Sequence, residues 1–313
     1  MTIHASIVPP TRPTVIRRVP AGALETRLDV SREPLDGHVP PARPAAQPGP
    51  AALGDLTPGQ TAHKLIEWCM AKSVLSVDRL VVLGLMAGFF IALGGAFFTA
   101  VVVELSLSHG PSRLLGGVAF CTGLLLVGMS GAELSTGNCL MFSARIAGRL
   151  TFATVTRNLL ISYAANAAGA LVLVLLVWRT GLLDGQHGRV AASIAEAKMN
   201  LSFEQAFFRG ILCNALVCLA VWMMLAGRTI PSKLTGLLFP ISAFIAIGFE
   251  HSVANMYLLP AGLLSGAGSP GAALSNLIAV TLGNLVGGIL VALAFSMAYL
   301  RGQGLEQPNP ARP

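Results

Sequence analysis

Apolar residues run along this chain in long blocks, near 80–103, 114–147, 158–178, 206–226, 236–264 and 276–300, parted by polar stretches. A helix needs about 20 residues to cross a bilayer core, so the pattern predicts an all-α integral membrane protein with six transmembrane helices. The second and fifth blocks run about ten residues past a plain span. Each is interrupted by small and polar residues, Gly131 to Asn138 and Gly248 to Asn255, which predicts two broken helices. In the fifth block neither flank, Leu237 to Ile247 or Tyr257 to Leu264, is long enough to cross alone.

The interruptions match each other. Gly131, Glu133, Ser135 and Asn138 lie over Gly248, Glu250, Ser252 and Asn255 at a constant offset of 117, and Asn158, Asn166 and Gly169 lie over Asn276, Asn284 and Gly287 at 118. The chain therefore reads as two repeats of three spans. Because three is odd, the second repeat enters the membrane inverted, and matching breaks in inverted repeats predict a site near the midplane.

Composition agrees: mean hydropathy is +0.70 and only 11% of residues are charged. The net charge of +7 marks cytoplasmic helix ends rather than a nucleic-acid surface, since no basic helix or aromatic RNA-reading motif accompanies it. With the N-terminus inside, nine basic residues flank the inner ends (Lys64, Lys72, Arg79, Arg145, Arg149, Arg157, Arg228, Lys233 and Arg301). Five flank the outer ends (Arg113, Arg179, Arg189, Lys198 and Arg209). This predicts a multi-pass protein of the inner (plasma) membrane with both termini cytoplasmic. Residues 1–56 read as a disordered proline-rich tail, 57–78 as an amphipathic interfacial helix, 79–301 as the channel domain and 302–313 as a short tail. The stretch between the third and fourth spans, which holds Lys198, reads as a solvated loop with balanced charge. The five cysteines lack metal spacing, and no P-loop or Ser-His-Asp set occurs, so neither cofactor, metal nor enzyme activity is expected.

The candidate chemistry sits in the breaks. A broken membrane helix frees backbone N–H groups that hydrocarbon cannot satisfy, so Glu133 and Glu250 either tie the loops down or handle protons and substrate directly. His251 has no counterpart, since Leu134 holds the equivalent place. A polar group in only one of two matching sites is not explained by shared loop architecture, and imidazole exchanges protons near neutral pH. The paired asparagines 138/255 and 166/284 read as architecture, and Asn214 stands alone in the apolar run Ile211 to Trp222.

Two long motifs, Arg209-Gly-Ile-Leu-Cys213-Asn214-Ala-Leu-Val-Cys218-Leu-Ala-Val-Trp222 and Gly248-Phe-Glu-His251-Ser-Val-Ala-Asn-Met256, resemble the signatures of the formate/nitrite transporter family, and Ala132 to Asn138 is similar to a third. The resemblance runs from about Thr57 to Arg301. It implies an aquaporin-like six-helix protomer, a homopentamer in the lipid bilayer with one pore per protomer, and a small monovalent anion of a weak acid as substrate. Formate or a related monocarboxylate comes first, nitrite or hydrosulfide second. It also implies that His251 is the central pore histidine, able to hand a proton to the anion, and that Thr136 is its hydroxyl partner. Asn214 becomes a neighbouring pore residue, Phe244 a constriction residue, and Lys198 a vestibule cation that draws anions in. Ser135 departs from the phenylalanine that formate channels tend to carry, which implies a wider or wetter constriction. A closed scaffold or sensor with the proline-rich tail as its binding arm is the reading outside transport.

Overall fold

The computed structural model describes residues 54–104 and 109–300, so most of the proline-rich tail, Arg301 and the C-terminal tail lie outside the described residues. Within them every regular element is a helix. Six helices are long and apolar enough to cross a membrane: α2 (Val77–Glu104), α3 (His109–Ser130), α6 (Phe152–Arg179), α8 (Phe203–Ala226), α9 (Ile230–Ile247) and α11 (Pro270–Tyr299). The remaining five are short: α1 (Pro58–Ser73), α4 (Ser135–Asn138), α5 (Met141–Ile146), α7 (Gly185–Met199) and α10 (Ser252–Leu264).

Helix ends follow local chemistry. Thr57 and Gln60 close a capping box before Pro58 of α1, and Ser202 and Gln205 close another before α8. Each such cap satisfies backbone N–H groups that have no intrahelical partner, worth about 1 kcal/mol. The long second block splits into α3, a turn, α4 and α5, and the fifth into α9, a turn and α10. Both turns open on glycine, Gly131 at φ 72° and Gly248 at φ 89°, where a Cβ would strain the backbone.

The long helices pack as α2 on α6, α8 on α11 and α3 on α9. At the α8–α11 crossing a Cβ on Gly210 would stand 2.8 Å from the Val280 carbonyl, so the backbones meet where only glycine fits. Large apolar side chains such as Leu160, Leu175, Phe239 and Leu290 point outward, as lipid or a neighbouring protomer requires.

Two sequence readings change. The stretch before α8 is not a solvated loop, because α7 buries Gly188, Ala191 and Ala195 along one face. Likewise α1 does not simply float at the interface: Leu65, Ile66 and Cys69 are buried in a cluster with Leu140, Met141, Trp222 and Leu225. The two short helices correspond, since an offset of 126 carries Ser73, the last residue of α1, onto Met199 of α7 and Val77, the first of α2, onto Phe203 of α8. A short helix thus precedes the first three and the last three membrane-capable helices at matching positions.

Candidate functional site

The two breaks are held by the same set of bonds. Asn166 donates to the carbonyls of Gly84 (2.8 Å) and Glu133 (2.9 Å) and accepts the Ser135 N–H (2.9 Å). Asn284 donates to Gly210 (2.8 Å) and Glu250 (2.9 Å) and accepts the Ser252 N–H (2.8 Å). Each asparagine replaces the hydrogen bonds that its broken helix gave up, in a place where water cannot do so. The acids are likewise matched. Glu133 pairs with Lys72 and accepts from Asn138 at 2.7 Å, and Asn138 also donates to Asn158 at 2.8 Å. Glu250 pairs with Lys198 at 3.0 and 3.1 Å and accepts from Asn255, which donates to Asn276, both at 2.8 Å.

Both glutamates are buried, and each is engaged with a lysine and an asparagine, as tying the loops down requires. The pairing changes the reading of Lys198. Its ammonium lies on a carboxylate, so the pair presents a dipole and not the net positive charge that draws anions from a distance. Lys72, which sequence reading placed only among the charges of an interfacial helix, is its twin at the other break. The signal was available: the offset of 126 links the two lysines, but only after α7 is recognised as a helix.

His251 caps α10. Its Nδ1 accepts the Ala254 N–H at 3.0 Å, so the neutral ring carries its proton on Nε2, 3.1 Å from Thr136 Oγ1. Phe244 stacks on the imidazole with ring centroids 5.9 Å apart, and Phe120 meets Phe244 edge-on at 5.7 Å. These side chains, with Ile91, Leu124, Leu134, Val217 and Ile241, enclose a cavity of about 10 Å³ measured to the centre of a water molecule, on the order of one water. Among the described residues His251 is its sole ionisable lining residue. On the α1 side a wider pocket of about 220 Å³ is lined by Trp68, Lys72, Leu83, Gly131, Glu133 and Leu134, among others. Leu124 and Leu134 line both, and so stand between the wide pocket and the histidine.

Three sequence-named residues lie elsewhere. Asn214 is fully buried and donates to the carbonyls of Thr136 (3.2 Å) and Asn284 (2.6 Å), joining the first break to α11. It does not line the small cavity. Glu250 lies behind His251 in the second turn. Ser135 lines an apolar groove between the first break, α6 and α11, together with Thr136, Tyr163 and Thr281, and does not line the small cavity; its buried Oγ has no hydrogen-bond partner among the described residues. Ser135→Phe is expected to fill that groove and leave discrimination between formate and acetate within about twofold of the parent, which competitive flux in proteoliposomes would check.

The profile described as "Formate/nitrite transporter" matches residues 59–298. The chain belongs to the formate/nitrite transporter family. The formate channel FocA of Escherichia coli (strain K12) is 36% identical over 244 residues, covering 70% of this chain and 86% of that protein. A probable formate transporter of Methanothermobacter thermautotrophicus is 38% identical over 267 residues, covering 78% of this chain and 97% of the relative. Among solved structures, a pentameric formate channel with formate bound superposes with a TM-score of 0.64 at 32% identity, covering 72% of this chain and 98% of that one. An ion channel of the family reaches 0.71 at 30%, covering 76% and 98%. The family's members thus named are channels and transporters, and the six membrane-capable helices place this chain among multi-pass membrane proteins.

Proposed function

We propose that this protein conducts a small monovalent anion of a weak acid, formate first, through the cavity at His251, with the anion crossing as its neutral acid. The observation that carries this is one imidazole, Nε2–H inward, in an otherwise apolar constriction. A bare anion in that constriction loses its hydration for a single hydrogen bond, a penalty of several kcal/mol that protonation removes. The relay starts from the charged imidazolium, in which both ring nitrogens donate, so the Ala254 N–H must leave Nδ1 at a cost of about 1 kcal/mol. Transfer of the Nε2 proton to a carboxylate oxygen breaks an N–H bond, forms an O–H bond and leaves the lone pair on Nε2. Formic acid and a neutral ring result. Thr136 Oγ1 orients the ring before the anion arrives, and Phe244 and Leu134 exclude water on either side.

The same chemistry suits nitrite and hydrosulfide, the other small weak-acid anions. We further propose a homopentamer in the plasma membrane, with the second repeat inverted, both termini cytoplasmic and the α7 side outward. The pentameric assembly of the similar formate channel and the excess of basic residues toward the α1 side support this. Proteoliposome flux tests the reading. Formate is expected to move faster than acetate by at least about tenfold, with rates rising as pH falls. Flux no greater than through empty liposomes for formate, nitrite and hydrosulfide alike would overturn it and leave the scaffold reading.

A further inference from the structure

The repeat symmetry that explains Glu133, Glu250 and their lysines fails at one more place, the backbone turn three residues before His251. Gly248 ends α9, and its left-handed turn is overlain by two guanidinium groups from different helices. Arg113 of α3 places Nη1 2.8 Å, and Arg209 of α8 places Nη1 4.0 Å, from where a Cβ on Gly248 would stand. Arg209 also donates to the Gly248 carbonyl at 3.4 Å. Among the described residues neither arginine belongs to an ion pair; those pairs are Lys72–Glu133 and Lys198–Glu250. Two like charges therefore converge on one backbone turn. Arg209 is exposed and Arg113 half-buried.

At the matching turn of the first repeat nothing comparable occurs. The position of Arg209 is held by Leu83, whose carbonyl accepts the Glu133 N–H just as the Arg209 carbonyl accepts the Glu250 N–H. Space beside Gly131 is open, and it belongs to a mainly apolar pocket. Holding the turn together thus requires the backbone at this position and not a guanidinium side chain.

We propose that Arg113 and Arg209 form an anion-capture site at the α7-side mouth, one turn of chain from His251, and that this pair, in place of the neutralised Lys198, gathers the substrate. Guanidinium groups offer planar paired N–H donors that match a carboxylate or nitrite. Convergent unpaired charge raises the local anion concentration in a salt-sensitive way. The inference rests on the anion-channel reading for its consequence, and on the two arginines alone for its geometry.

The test separates the two. In vesicles of either sidedness, Arg113→Gln/Arg209→Gln is expected to raise the half-saturating formate concentration by about tenfold when formate is added on the α7 side. The maximal rate from the α7 side should be unchanged, while the permeability at low formate concentration falls equally from both sides, as passive flow requires. The salt dependence of α7-side uptake should flatten, and Arg113→Lys/Arg209→Lys should restore most of both. Retention of the parent's half-saturation and salt dependence by the glutamine pair would overturn the proposal. So would a fall in maximal rate from both sides that lysine does not rescue, since that marks a structural role. A binding readout holds even if the protein conducts nothing. Carbon-13 line broadening of formate by the detergent-solubilised protein should weaken in the glutamine pair, and equal broadening in parent and variant would refute capture.

Discussion

Glu133→Ala is expected to lower the stability of the folded protein by about 3–5 kcal/mol, because it leaves the Lys72 ammonium buried without its carboxylate. Lys72 is only 8% exposed, and Glu133 also holds Asn138. The loss should be partly recovered in Lys72→Met/Glu133→Leu, where no charge remains to be stranded, although Asn138 still lacks an acceptor. Thermal unfolding in detergent, with both single variants and the double, gives the coupling between the two residues directly. A Glu133→Ala protein as stable as the parent would mean that water reaches Lys72, and the wide pocket beside it would then be the route. Because Glu133 and Glu250 carry equivalent bonds, Glu250→Ala should behave similarly but less severely, as Lys198 is more exposed, at 14%.

His251→Ala should reduce formate flux by about a hundredfold, at the lower end of what a positioned proton donor contributes. The remaining flux should lose the parent's pH dependence. The variant removes the ionisable side chain that lines the small cavity and the α10 cap that its Nδ1 provides. To separate these effects, His251→Asn offers a capping oxygen without a titratable ring. It should regain stability in thermal unfolding and still lack pH-dependent transport. Formate flux in His251→Ala equal to the parent's, with the same pH profile, would rule out the relay.

How much of this could be read from the chain alone depends on the kind of information. The spans follow from hydropathy, and the breaks from small and polar residues inside blocks too long for one crossing. The motifs Arg209–Trp222 and Gly248–Met256 carry the family resemblance in consecutive residues. The singularity of His251 follows from aligning the repeats, since Leu134 fills its place in the other half. All of these are properties of neighbours along the chain or of fixed offsets, which a linear pattern records.

What only the tertiary structure decided concerns partners far apart in sequence and the direction in which side chains point. Lys198 looked like a free cation because its partner lies 52 residues away on another element. Lys72 looked like part of an amphipathic face for the same reason, with its carboxylate 61 residues off. Ser135 lines a different cavity from its neighbour Leu134, because Leu134 is the extended residue that precedes α4 and Ser135 is the first residue of the helix. The approach of Arg113 to Arg209 at Gly248 joins three helices. The sequence by itself determined that this is a six-span channel with one histidine in its breaks. Folding decided which charges pair across those breaks, because charge neutralisation depends on distance through space.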